Sequence, residues 1–339
     1  MSYLRFWART ALVAAATLVG MSALPDNEYL RFQDLTVGYY AKAQWVYERI
    51  VLDKTPIDVA FFGTSHTLNG VDSEVLEKEI SDELGRPVHV VNCAIPHTGR
   101  DIQFTLMALL LEHRTPELIV LESRYTEGRD THPATHYLAD RSDLLGAPLV
   151  VNKNYFSNLA RIPYRQLKLF VVGLAPEAFG YTKTLDPAAY DGPHVNFTST
   201  RGPGGVSRDT FITEEELLEA RHEYERNSAG LMERSSELKS YLSFNVSYTW
   251  VRRMGALAKG AGVPMMILNL PHFGDPLAPQ DRKVHDELGP TTFLPAEVLS
   301  DVSHWYDGDH FNAKGGAAAQ PAIARAVAER LRSIESAEQ

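Results

Sequence analysis

Through the first third of the chain, short apolar runs alternate with longer stretches of helical period. "IDVAFFG" (57–63) is a continuous apolar run closed by Gly63. Its length and its glycine stop predict a strand buried on both faces. "DSEVLEKEISDELG" follows, with Val75, Leu76, Ile80 and Leu84 on one helical face and Gly85 at its end, which predicts an amphipathic helix. "PVHVVNCAI", "GRDIQFTLMALLLEH" and "PELIVLES" then read as strand, helix and strand. A βαβαβ alternation predicts a parallel sheet covered by helices on both faces.

The alternation stops after residue 125. From 125 to 245 no clear strand run occurs, and the stretch reads as a largely helical insertion over the sheet. "YFSNLARIPYRQLKLFVVGL" has helical period, and "DPAAYDGPHVNFTSTRGPGGVSRD" is a Pro/Gly/Asp-rich loop. A charged helical segment opens at Thr213, with Glu216 three positions on, the spacing of a capping box. "FNVSYTWVRRMGALAKGAG" is helical, "VPMMILNLP" is a fourth strand, and "AKGGAAAQPAIARAVAERLRSIES" is the closing helix. Residues 26–50 form an aromatic-rich lead-in, whose Tyr39, Tyr40 and Trp45 read as packing residues.

The N-terminus changes the picture. Arg5 and Arg9 precede an apolar-to-small run from Thr10 to Leu24, and Phe6, Trp7 and Ala8 extend it. A positive flank before such a run is an export signal, and the extended run approaches the roughly 17–25 residues of a spanning helix. "MSALP" is a poor cleavage site, so an uncleaved signal anchor over residues 1–25 is expected ahead of a cleaved signal peptide or a buried helix, followed by one domain over 26–339. The positive-inside rule then puts that domain outside the cytoplasm. The formal charge of −10, from 33 Lys and Arg against 43 Asp and Glu, argues against a nucleic-acid binder, whose footprint would be a basic patch. The single Cys93, after an apolar run, rules out an internal disulfide and reads as a small buried residue. Sequons stand at Asn196 and Asn245.

In an open parallel sheet, sites form at the carboxyl ends of the strands. The first strand ends in Gly63, Thr64, Ser65 and His66, the second in Asn92 and "AIPHTGRD", the fourth in Asn269, Pro271 and His272. Just before the last helix lies "SHWYDGDHFNAKGG". A serine hydroxyl is a weak nucleophile that needs an imidazole base and a group to orient the imidazole. Asp307 and His310, three apart on a turn, can supply both and leave one ring nitrogen for Ser65. The Ser65 and Gly99 N–H groups, at helix starts, are candidate oxyanion donors. Asp309 is the alternative acid, and His66 reads as a packing or capping neighbour. Asp301, His304, Asp307, Asp309 and His310 are also a possible metal set, but they lack a zinc-type spacing. No metal or other cofactor is expected.

"FFGTSHT" resembles the Gly-x-Ser first block of the SGNH (GDSL-like) hydrolases, and "YDGDHFNAKGG" resembles their Asp-x-x-His last block. The resemblance spans residues 57–122 and 262–332. It implies a flavodoxin-like three-layer αβα fold with a short parallel sheet. It also implies Ser65 as nucleophile, His310 as base, Asp307 as its orienting acid and Gly99 as the second-block glycine. The family's third-block asparagine, an oxyanion donor, has no counterpart in "LESRYTEG". Arg124 or backbone groups would take its place, with Asn92 a further substrate contact. The anchor and insertion resemble the membrane-anchored branch that acylates envelope polymers: alginate-type O-acetyltransferases and the D-alanyl transfer protein of teichoic-acid systems. That layout implies a polysaccharide or acyl-ester substrate and a multi-pass membrane acyltransferase partner. An SGNH carbohydrate esterase and a non-catalytic envelope binding protein are the other readings.

Overall fold

The strand runs assemble into an all-parallel, five-stranded sheet in the computed structural model, which describes residues 2–35, 42–123, 130–195, 212–232, 237–275 and 282–338. The strands are β1 (Val59–Phe62), β2 (Val90–Asn92), β3 (Leu118–Ser123), β4 (Met265–Asn269) and β5 (Thr291–Phe293), in the order β2-β1-β3-β4-β5. Four of these lie in the apolar runs. β5 does not: Thr291, Thr292 and Phe293 are half-buried and pair only with β4, opposite Ile267, Leu268 and Asn269. An edge strand this short has no apolar run to announce it.

The helices before the break in alternation are α1 (Ser2–Ser22), α2 (Glu28–Gln33), α3 (Lys42–Tyr47), α4 (Ser65–Gly70), α5 (Ser73–Leu84) and α6 (Arg100–His113), with a π-helical turn over Glu48–Leu52. The middle of the chain forms α7 (Thr135–Leu138), α8 (Arg141–Leu145), α9 (Tyr155–Leu174), α10 (Glu214–Met232) and α11 (Glu237–Gly260). The last third adds α12 (Arg282–Asp286), α13 (Ala296–Ser300) and α14 (Ala313–Glu338).

Alternate strand residues feed two cores, as the period of two requires. Val59, Phe61, Val90 and Val120 pack under α5 and α14 through Leu76, Ile80, Ile323 and Val327. Ala60, Phe62, Val91 and Ile119 pack on the other face with Trp45, Ile50, Ile102, Leu106 and Tyr248. The aromatic lead-in is thus part of the core, and Trp45 donates its indole N–H to Gly192 O at 2.9 Å. Tyr39, Tyr40 and the Asn196 sequon lie outside the described residues.

No strand occurs among the described residues of 125–245. The capping box is formed: Thr213 Oγ1 accepts from Glu216 N, and Glu216 accepts from Thr213 N. The end of the expected insertion at 245 falls inside α11, an unbroken helix whose second half leads into β4. Phe244, Tyr248, Val251 and Met254 of α11 lie in the core, so that helix is a wall of the α/β domain. At the other end, α1 is solvent-exposed from Tyr3 to Gly20 and half-buried at Met21 and Ser22, and Tyr3–Ser22 is long and apolar enough to cross a membrane.

With β1 flanked by β2 on one side and β3 on the other, consecutive strands are added in opposite directions at β1/β3. That reversal opens a crevice at the carboxyl ends of these strands, where Gly63, Ser65 and Glu122 stand.

Candidate active site

The turn after β1 is held from both sides. Gly63 has no alternative there, because a Cβ would sit 1.9 Å from Thr67 Oγ1 and 2.4 Å from Glu122 Oε2. Thr64 caps α4, its hydroxyl accepting from His66 N at 3.3 Å. From β3, the buried Glu122 accepts from Thr64 N at 2.7 Å, Thr67 N at 3.1 Å, Thr64 Oγ1 at 2.9 Å and Thr67 Oγ1 at 2.6 Å. From β2, Asn92 Nδ2 donates to Thr67 O at 3.1 Å and Val71 O at 2.9 Å, and Asn92 Oδ1 accepts from Ala94 N at 3.0 Å. Ser65 stands on this braced turn as the first residue of α4.

Asn92 therefore corrects the expectation of a substrate contact. Its side chain is buried and both amide hydrogens are committed to α4 and the residue after it, which makes it a positioning residue. Behind it, the buried Lys42 donates to Asn92 O at 2.7 Å, and burial holds the Lys42 ammonium down to about 7.

The second half of the site comes from the loop before α14. Asp307 Oδ1 accepts from the N–H groups of Asp309 and His310 at 2.8 and 2.7 Å, so the turn folds around its own carboxylate. That carboxylate faces His310 Nδ1 at 2.9 and 3.0 Å, and His310 Nε2 lies 2.7 Å from Ser65 Oγ. The network assigns the tautomer: Nδ1–H donates to Asp307, and Nε2 accepts from the serine hydroxyl. Burial pushes the Asp307 carboxyl up, but the His310 ring and the two N–H donors outweigh it and hold the group below its ordinary value.

The loop is anchored at both ends. Trp305 and Phe311 pair across its base, and the buried Trp305 donates to Leu299 O at 3.1 Å. Asn312 Nδ2 donates to Ser303 O and Trp305 O, and its Oδ1 accepts from Gly315 N in the first turn of α14. Asp309 points elsewhere: its half-exposed carboxylate is 3.6 Å from His272 Nε2. The geometry separates the two aspartates that sequence spacing left open.

A second histidine–carboxylate pair adjoins the first. His272, on the loop after β4, donates from Nδ1 to Asp275 at 2.7 Å. The His66 ring lies between the two histidines, with centroids 4.9 Å from His272 and 5.3 Å from His310. Tyr224 of α10 covers His272 at 4.4 Å, and Phe273 N donates to Gly308 O at 3.0 Å, tying the loops together. The middle segment thus reaches the site through α10.

Gly99 caps α6 with φ at 144°, and a Cβ there would lie 2.4 Å from His132 N. Its lack of a side chain is explained by the close approach of the segment after β3. Arg124 lies outside the described residues. The acidic and histidine residues near the C-terminus split into separate groups: His304 Nδ1 bonds Val298 O at 2.8 Å and its Nε2 lies 3.4 Å from Asp301, which accepts from Ser303. Among the described residues, no group of three or more His, Cys, Asp or Glu is placed to hold a metal ion.

The sequence places Glu122 at a strand end facing the site, as an ion-pair partner of Arg124 or a substrate contact, and does not show that it braces Thr64 and Thr67 instead. Its signal was a carboxylate at the end of an otherwise apolar strand run, "LIVLES". No protein-family model matches the chain, and no curated protein matches its sequence.

Proposed function

We propose that this protein is an extracytoplasmic serine acyl-transfer enzyme of SGNH type, anchored through α1, that moves an acyl group through an acyl-Ser65 intermediate to a carbohydrate hydroxyl. The observation that carries the reading is the continuous chain Ser65 Oγ–His310–Asp307, at 2.7 and 2.9 Å. Such a chain has the parts that convert a hydroxyl into a nucleophile.

In the first half-reaction, Ser65 Oγ attacks the carbonyl carbon of an acyl ester while its proton passes to His310 Nε2. Asp307 stabilises the imidazolium and keeps its orientation. The tetrahedral oxyanion meets the Ser65 N–H, which α4 leaves without an intrahelical acceptor because it lies in the first turn. Collapse expels the leaving alkoxide, which takes the proton back from His310. In the second half-reaction His310 removes the proton of the acceptor hydroxyl, whose oxygen attacks acyl-Ser65; collapse breaks the Ser65 Oγ–acyl bond, and the serine oxygen takes that proton from His310.

Glu122 stands on β3, after which the resembled family places an oxyanion-donating asparagine, and its oxygens accept from Thr64 and Thr67. The oxyanion site therefore relies on main-chain donors or on residues after Ser123. Absence of one side-chain donor typically costs about 10²–10³ in rate, which suits a transferase acting on an activated acyl group handed over by a multi-pass membrane partner. The preference for an envelope or secreted polysaccharide as acceptor rests on α1 and on the resemblance to the membrane-anchored acylating branch.

The test is turnover of p-nitrophenyl acetate by the full chain in detergent, with and without polysaccharide acceptors. Ser65→Ala and His310→Ala should each reduce leaving-group release to background, and a fluorophosphonate should label the parent but not Ser65→Ala. Acceptor-dependent acetylation of the glycan supports the transferase; release into water alone makes the same machinery an esterase. If both variants turn over like the parent, the catalytic reading fails and a binding protein remains.

A further inference from the structure

The outward face of α9 carries a pattern that the fold of the domain does not use. Ile162, Arg165, Gln166 and Leu169 are buried on one side. On the other, Phe156, Ala160, Tyr164, Leu167, Val171 and Leu174 are exposed. Their spacing of three and four residues makes one continuous stripe. Phe156, Tyr164 and Leu174 are 73, 71 and 70% exposed. The apolar surface continues at the N-terminal end of α9 through Leu145, Leu149 and Val150, also exposed, where Tyr155 donates its hydroxyl to Leu145 O. Contiguous exposed apolar side chains mark an interaction surface.

The neighbouring α1 says what covers it. α1 packs on α9, and its end is tied to the same part of the domain. Gln166 of α9 donates to Leu24 O at 3.1 Å, and Arg141 donates to Ser22 O at 2.8 Å. A helix that spans a bilayer and ends in hydrogen bonds to α9 fixes α9 at the bilayer surface. Arg161 and Lys168, seven residues apart, border the stripe on one side by helical spacing, Arg161 bonded to the His136 ring and Lys168 paired with Asp34. An apolar stripe with cations along its edge is the layout of a helix lying in the plane of the interface.

We propose that α9 is a second membrane contact of this protein, an in-plane amphipathic helix whose stripe enters the boundary between lipid headgroups and acyl chains beside the α1 span. The proposal rests on α1 being a spanning helix. Two points of attachment stop the domain from swivelling on a single tether. They hold the Ser65 site at a fixed orientation to the bilayer, so that it acts on groups presented at the membrane surface.

Spin labels on the full chain in phosphatidylethanolamine/phosphatidylglycerol liposomes test this. The only native cysteine, Cys93, is buried, so introduced cysteines are labelled selectively. Tyr164→Cys and Leu174→Cys report on the stripe, Val13→Cys on the span and Lys78→Cys on solvent; all four positions are exposed, so the fold tolerates the change. The expected result is that labels at 164 and 174 collide with oxygen in preference to a water-soluble nickel chelate, at a shallower depth than the label at 13. If 13 is in lipid while 164 and 174 behave like 78, the docking is wrong although the anchor stands. Labels at 164 and 174 shielded from both reagents also overturn it, because protein then covers the stripe. A label at 13 in water removes the anchor and the docking together.

Discussion

Asp307 and Asp309 are two positions apart, and only one touches the imidazole. Asp307 lies 2.9 Å from His310 Nδ1, whereas Asp309 is drawn toward His272. Asp307→Asn should lower kcat by up to about 10⁴, by favouring the wrong tautomer, and Asp309→Asn should stay near the parent. Steady-state kinetics on the activated ester decide it, and the opposite ranking would make Asp309 the acid. Glu122 acts one step further back. Glu122→Ala strands the buried N–H groups of Thr64 and Thr67, at about 1–3 kcal/mol each. It should lower the denaturation midpoint and reduce kcat more than it raises KM. Glu122→Gln, with its oxygen at the Oε2 position, keeps both N–H bonds and should restore most of the loss; a Gln variant as weak as the Ala variant would count against this role. At this scale, the pairing of Ser65 with His310 and a choice of acids were legible in the sequence, because the proposed acyl transfer needs those residue types. The part played by Glu122 was not, because nothing local says which groups a strand-end carboxylate will meet.

The start of α6 and the segment after β3 are joined by a buried acid and a buried base. Asp101 accepts from His132 N at 2.9 Å and Thr135 Oγ1 at 2.5 Å. His132 Nε2 donates to Pro96 O at 2.6 Å, and its Nδ1 accepts from Ala134 N at 3.0 Å, the pattern of a neutral ring. Burial pushes the Asp101 carboxyl up to about 6, from 3.8, and the His132 imidazole down to about 4, from 6.5. Between about pH 4 and 6 the unfolded chain carries its proton on the histidine and the folded chain on the aspartate. The pair then adds almost no pH slope to stability, since the slope follows the difference in bound protons.

Single variants unmask each half. In Asp101→Asn only the histidine counts: the unfolded state binds more protons, so stability relative to the parent rises with pH through this window. In His132→Gln only the aspartate counts, and stability relative to the parent falls as pH rises through about 6. Each swing should approach 3 kcal/mol, at about 1.4 kcal/mol per pKa unit. Urea midpoints measured from pH 4 to 7 check it, and variants that run parallel to the parent would refute it. Among the elements themselves, the first four strands and the long helices were readable from period and length. β5 was not, because its three half-buried residues gain their strand geometry only from pairing with β4. The end of the middle segment was misplaced because α11 is helical on both sides of residue 245, and a helical period does not reveal where a helix changes neighbours.

At the scale of the whole molecule, the site is a closure between distant parts of the chain. Ser65 and His310 are separated by 245 positions, and they meet because α14 packs against α5 and α4 on the sheet face that carries β1. The proposed membrane contact through α1 and α9 belongs to the same scale, since neither helix alone shows which way the Ser65 crevice faces. The sequence by itself determined the α/β alternation, the spanning-length apolar N-terminus and the residue types able to carry acyl transfer, because period, length and side-chain chemistry are local properties. Only the tertiary structure decided that β1 lies between β2 and β3, that Asp307 rather than Asp309 orients His310, and that Asn92 and Glu122 brace the serine turn. Each of these depends on which residues, far apart in the chain, are brought within hydrogen-bond distance by burying two apolar faces of one sheet.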